Sequence, residues 1–166
     1  MKGFGSKDRK IKKSEEIKIT TAQKDKLISN AFSFHSGGRI KKAAEIYNFL
    51  IKNKIYDPRI FINLGTIYSN LKQFDKAILL FDESIKKFPN SLEAYINLAN
   101  VMLIKGKSDN AKKVLNKVIK LNPNYLRAYS NMAGIFVGEG NFEKAELFLR
   151  KRLRILLMNM LPIWIS

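Results

Sequence analysis

Apolar positions in this chain fall at helical spacing, and the whole pattern then recurs. Phe61, Leu64, Gly65 and Tyr68 stand at i, i+3, i+4 and i+7, which lays one apolar stripe along a helix. A polar break at Lys72-Gln73 follows. Phe74, Ala77, Ile78, Phe81, Ile85 and Phe88 then mark a second amphipathic helix that stops at Pro89-Asn90. Asp57 before Pro58 reads as an N-cap and first helical residue, because proline lacks the N–H that a first turn leaves unpaired anyway. A step of 34 residues returns the same pattern: Gly65, Ala99 and Ala133 form one series, Ala77, Ala111 and Ala145 a second, Pro89 and Pro123 a third. Gly38, Gly106 and Gly140 occupy the break in the other copies, where a left-handed helix C-cap favours glycine.

The spacing predicts four helix pairs in one register, over 24–57, 58–91, 92–125 and 126–159. Units of this length cannot bury their apolar faces alone and stack into a solenoid. Residues 1–23 form a Lys-rich leader, expected to be a flexible arm that turns helical near its end. The array is expected to occupy 24–157, with an apolar tail over 155–166. That tail breaks the register, since Arg152 stands where a small residue belongs and Leu157 where proline belongs. The last repeat is therefore expected to fray or bend. A reading frame shifted near 152–155, a tail that docks on a partner, and a membrane-surface anchor built on Arg150–Arg154 would each account for it.

The order aromatic, Leu-Gly or Leu-Ala, aromatic, Ala, aromatic, Pro resembles the tetratricopeptide repeat. It reads Phe61, Leu64-Gly65, Tyr68, Ala77, Phe81, Pro89 in repeat two. In repeat three it reads Tyr95, Leu98-Ala99, Met102, Ala111, Leu115, Pro123, and in repeat four Tyr129, Met132-Ala133, Phe136, Ala145, Leu149. Repeat one is weaker but in phase, with Leu27, Ala31, Phe34, Ala43 and Tyr47. The resemblance implies an all-α fold, a right-handed superhelix of antiparallel helix pairs. It also implies that the first helix of each pair lines a concave groove for a protein or peptide ligand.

The inward positions would then be Arg59, Ile62, Asn63, Thr66, Ser69 and Asn70 in repeat two. Repeat three supplies Glu93, Ile96, Asn97, Asn100 and Leu103, and repeat four Arg127, Ser130, Asn131, Gly134 and Val137. Asn63, Asn97 and Asn131 are one repeat apart and are expected to stack as a ladder. An amide offers donors and an acceptor, so such a row can pair with the main chain of an extended peptide whatever its side chains. The row resembles the superhelical repeats of O-linked N-acetylglucosamine transferases, whose ladder holds extended substrate segments. That likeness raises a second reading, a substrate-presenting fragment of a larger transferase whose catalytic domain lies elsewhere. The carboxylate clamp of chaperone-binding members is not reproduced, because positions 62, 96 and 130 hold Ile, Ile and Ser.

Composition narrows the remaining classes. With no cysteine there is no disulfide framework, thiol catalysis or cysteine-ligated metal. The single histidine, His35, sits at a helix end beside Ser36 and Gly37, where a capping or solvated role is expected. Met102 and Met132 read as core fillers, and Gly134, Gly138 and Gly140 lack the strand and lysine of a phosphate loop. No enzyme activity and no cofactor are expected. The 31 Lys+Arg against 14 Asp+Glu give a net charge of +17, which favours acidic partners. The lysines are spread over many helix faces and do not form one stripe. Helical-repeat RNA binders have a slightly longer period and lack this small-residue signature, so protein or peptide is the expected partner class. Self-association through exposed repeat ends is a further expectation. The basic start lacks the apolar core of a secretory signal, and no stretch is apolar enough to span a bilayer, so a cytoplasmic location is expected.

Overall fold

The computed structural model describes residues 19–160. Among these, eight α-helices follow one another: α1 (Thr21–Ser36), α2 (Ile40–Lys52), α3 (Pro58–Asn70), α4 (Phe74–Lys87), α5 (Leu92–Ile104), α6 (Ser108–Leu121), α7 (Leu126–Gly138) and α8 (Phe142–Met160). The starts of α3, α5 and α7 are spaced by 34 residues, as are those of α2, α4, α6 and α8. Each odd-numbered helix packs against the even one that follows it, and each even helix against the next odd one. The odd helices also touch one another, α1 with α3 and α3 with α5, and the Asn131–Asn100 hydrogen bond joins α7 to α5, so they form one inner layer. This is the four-pair solenoid that the spacing predicts.

Local chemistry sets the boundaries. Asp57 caps α3 by accepting the Arg59 N–H at 3.0 Å, with Pro58 in the first turn. Thr20 caps α1 through a reciprocal box with Gln23, so α1 begins slightly ahead of the repeat start at 24. Between the helices of each pair the chain closes in the same way, with two backbone bonds reaching back over the last turn, such as Lys107 N–H to the Met102 carbonyl and Gly106 N–H to that of Leu103. The residue at the bend is left-handed: Gly38, Gly106 and Gly140 lie near φ 70–75°, and Lys72 adopts φ 58° in the second pair. His35 contributes its carbonyl to the first of these caps, accepting from Gly38.

The core follows the repeat. Leu50, Ser84 and Val118 occupy equivalent places and are all fully buried. Ser84 is the odd one, because its hydroxyl has no hydrogen-bond partner. An unpaired buried hydroxyl costs about 1–3 kcal/mol, so Ser84→Ala is expected to raise stability by about 1 kcal/mol, read as an upward shift of the urea midpoint. Met102 and Met132 pack in the core as expected.

The fourth equivalent of that position is Arg152, half-buried with its Nε unpaired. The helix does not fray or bend there. α8 runs unbroken for 19 residues, against 14 in α4 and α6. No further helix among the described residues packs beyond α8, so Arg152 is only half-buried, although its Nε is shut off from water without a partner. Without a proline at 157 nothing stops the helix, and the first half of the apolar tail, 155–160, is simply its continuation. Leu149 is 47% exposed, whereas its equivalents Tyr47, Phe81 and Leu115 are buried. The flexible arm and the end of the tail, at 1–18 and 161–166, lie outside the described residues.

Candidate functional site

Most of the predicted inward positions are accessible along the inner layer. Ile62, Asn63, Thr66 and Ser69 on α3, Asn97, Asn100 and Leu103 on α5, and Ser130 and Asn131 on α7 are half-buried, lying between core and solvent. Ile96 is not among them. It is 0% exposed and packs in the cluster of Tyr95, Ala99 and Leu115, because the apolar face of α5 is broad and Ile96 lies on its core side. Ile96 therefore leaves the set of lining residues. Between α5 and α7 a hollow of about 420 Å³ is lined by Asn100, Leu103, Ser130, Asn131 and Gly134 among others. A Cβ at Gly134 would meet nothing within 4 Å, so glycine there leaves the hollow open.

The three asparagines share a register but not a hydrogen-bonding state. Asn63 donates to the Tyr47 hydroxyl at 3.0 Å. The residues equivalent to Tyr47 are Phe81 and Leu115, which offer no oxygen, so this bond is confined to the first junction. Asn131 donates instead to the Asn100 side-chain oxygen, 2.9 Å away, which ties α7 to α5. The Asn97 side chain is half-buried and makes no hydrogen bond to any described residue, so its amide donors and its oxygen remain unspent. Thr66 and Ser130 donate to carbonyls one turn back on their own helices, those of Ile62 and Leu126.

The two predicted arginines are already engaged. Arg59 binds Asp57 through two nitrogens at 2.9 Å and reaches Asp25 at 2.6 Å. Arg127 binds Glu93, which also accepts from the Tyr125 hydroxyl. Asp25, Glu93 and the two arginines are spaced by 34 residues, so the sign alternates along one edge of the inner layer: Asp25, Arg59, Glu93, Arg127. The Arg59 bonds, aided by the Arg59 backbone N–H and by the Lys24 charge 3.4 Å away, hold the Asp57 carboxyl down at about 2 despite its burial. Burial and the neighbouring Glu93 carboxylate push the Tyr125 hydroxyl up.

A family model described as the tetratricopeptide repeat protein 21 ARM repeat matches residues 13–145. The chain belongs to this tetratricopeptide repeat family. Its fold is shared by solved tetratricopeptide repeat proteins at low identity. MamA superposes with a TM-score of 0.71 at 20% identity, over 81% of this chain and 79% of that one. TTC0263 from Thermus thermophilus gives 0.67 at 19%, over 79% and 73%. YrrB, described as having an unusual peptide-binding site, gives 0.66 at 20%, over 78% of this chain and 66% of its own. No curated protein matches the sequence.

As a tetratricopeptide repeat protein, this chain presents an interaction fold. No described helix is long and apolar enough to cross a membrane. The sequence reading missed Asp25 and the Tyr47 hydroxyl, both of which change what the groove offers. Asp25 could have been found by stepping the 59, 93, 127 series back by one repeat. Tyr47 stands at an in-phase position of repeat one, and its buried ring carries a hydroxyl that reaches Asn63.

Proposed function

We propose that the inner layer binds an extended or helical peptide segment of another protein, with the Asn97 and Asn131 amides and the free oxygen of Asn63 pairing with its main chain. The observation that carries this reading is Asn97, an amide with no partner among the described residues, set between two others in the same register, of which Asn131 lines the open hollow at Gly134. Ile62 and Leu103 supply apolar contact. Arg59 and Arg127 serve as fixed walls, since their charges are answered within the chain. This is a scaffold role in the cytoplasm, with no bond made or broken. Each amide bond contributes about 0.5–1.5 kcal/mol net, so the side-chain contacts must supply selectivity. The peptide-binding description of YrrB, which shares the fold, lends support by analogy only.

The test is an immobilised peptide array probed with the native chain and with the triple variant Asn63→Ala, Asn97→Ala, Asn131→Ala. Loss of two or three such bonds is expected to weaken the retained peptides on the order of tenfold to hundredfold, with the helical circular dichroism preserved. An unchanged array pattern refutes main-chain recognition by these amides.

A further inference from the structure

Three notches lie along one edge of the array, each between the turn inside a helix pair and the end of the next inner helix. The second notch is bounded by Lys72–Lys76 and Lys105 and holds about 250 Å³. The third, bounded by Gly106–Asn110 and Glu139, holds about 320 Å³. The first, between Gly38–Lys42 and Leu71, holds about 600 Å³. The six residues that line the second and third notches each have a counterpart in the first at a spacing of 34, and the first is lined by Ala44, Ile67 and Tyr68 as well.

In the second junction Lys105 pairs with Asp75 across the gap, and in the third Lys112 pairs with Glu139 at 2.9 Å. The first junction has Leu71 where the others have Lys105 and Glu139, and Lys41 where they have Asp75 and Asp109. Leucine and lysine cannot close the gap with an ion pair. Ala44 also replaces the longer Ile78 and Lys112 of the later repeats, which deepens the opening down to Ile67. Leu71 is left 52% exposed at the rim.

We infer that this first notch is a second binding site, outside the inner groove, that takes an apolar side chain from an acidic segment of a partner protein. Charge complementarity selects the partner. Arg39, Lys41 and Lys42 border the notch, none of them forms an ion pair among the described residues, and no carboxylate lines it. The Arg39 guanidinium stacks over the Phe34 ring at 4.4 Å, and the Lys42 ammonium stands 5.9 Å from the same ring, which is not part of the notch lining. These two cations are held at its border, and Lys41 is the one without such a contact. The chain's own ends are poor occupants, because the leader carries more Lys and Arg than carboxylates and residues 161–166 carry no acidic side chain. An apolar side chain flanked by carboxylates satisfies the Ile67 floor, the exposed Leu71 and the cationic rim together, and the net charge of +17 steers it in.

The experiment is fluorescence anisotropy with three labelled hexapeptides: Leu-Phe flanked by glutamates, Leu-Phe flanked by lysines, and Ser-Ser flanked by glutamates. The first is expected to bind, at least tenfold more tightly than the other two, and to weaken as salt rises. Two variants copy the later repeats: Lys41→Asp with Leu71→Lys, which installs the ion pair, and Ala44→Ile, which fills the floor. Each is expected to lose at least tenfold in affinity with the circular dichroism unchanged. The Asn63/Asn97/Asn131 alanine variant is expected to bind the acidic peptide as the native chain does, which separates this site from the inner groove. Equal binding of all three peptides, indifference to both notch variants, or loss in the asparagine variant would each overturn the assignment.

Discussion

Replacing Gly65 by alanine is expected to destabilise the array by about 2 kcal/mol, although alanine is the better helix former by about 1 kcal/mol. A Cβ on Gly65 would stand 2.5 Å from Cε1 and 2.8 Å from Cζ of Phe81. Phe81 is 1% exposed and wedged among Ala77, Leu98 and Val101, so the ring has nowhere to swing. Repeat three solves the same contact with Ala99 beside Leu115, a larger residue on one helix matched by a slimmer one on the other. Repeat one pairs Ala31 with Tyr47, whose ring is held by the hydroxyl's bond to Asn63. Phe81→Leu alone leaves unfilled space and is expected to cost about 1 kcal/mol. The double variant, which copies repeat three, is expected to recover most of both losses. Urea unfolding followed by circular dichroism gives the coupling, expected at about 1–3 kcal/mol. Simple addition of the two single costs would show that the ring does not set the limit at position 65.

Asp57→Ala is expected to cost about 2 kcal/mol at neutral pH. It removes the α3 cap, both Arg59 side-chain bonds and the Lys24 contact together. Asp57 is 9% exposed, so its own pairing is little screened, while the half-exposed Arg59 can return to water. Asp57→Asn keeps an oxygen for the cap and is expected to lose about half as much. The pH dependence follows from the depressed carboxyl. Its folded value near 2 lies below the ordinary 3.8, so its contribution is complete above the ordinary value and fades as the pH falls toward 2. The gap in stability between the native chain and Asp57→Ala should therefore narrow below about pH 4. A gap that stays constant down to about pH 2.5 would mean that Asp57 acts through shape alone.

The sequence disclosed the architecture because every repeat repeats its constraints. A small residue at 65, 99 and 133, a bend at 38, 72, 106 and 140, and a proline at 89 and 123 leave few other ways to pack. Lys72 shows the strength of that register: the bend is kept although the left-handed conformation, which glycine adopts freely, costs lysine about 1–2 kcal/mol. The end of the array was harder to read. Arg152 reads as a charge forced into a contact, and its Nε is indeed buried without a partner, but the residue is only half-buried and the helix runs through it unbroken. The site was half legible. Register places Asn63, Asn97 and Asn131 on one wall, yet whether each amide is free depends on what stands opposite, a Tyr47 hydroxyl in one case and Asn100 in another. Ile96 failed for the same reason, since helical phase tells the side of α5 but not how far the neighbouring helices wrap around it. The edge notch was invisible, because it arises from three unremarkable substitutions, at 41, 44 and 71, that matter only across a junction.

The central claim, that the inner wall reads the main chain of a bound peptide, is tested most directly by N-methylation. A peptide retained on the array would be titrated by isothermal calorimetry against the native chain and the triple asparagine variant, alongside copies methylated at successive backbone nitrogens. Methylation at the nitrogens facing the asparagine row is expected to weaken native binding on the order of tenfold, and to have little further effect on the variant. Full affinity for the methylated peptides, or equal losses in both proteins, would contradict it.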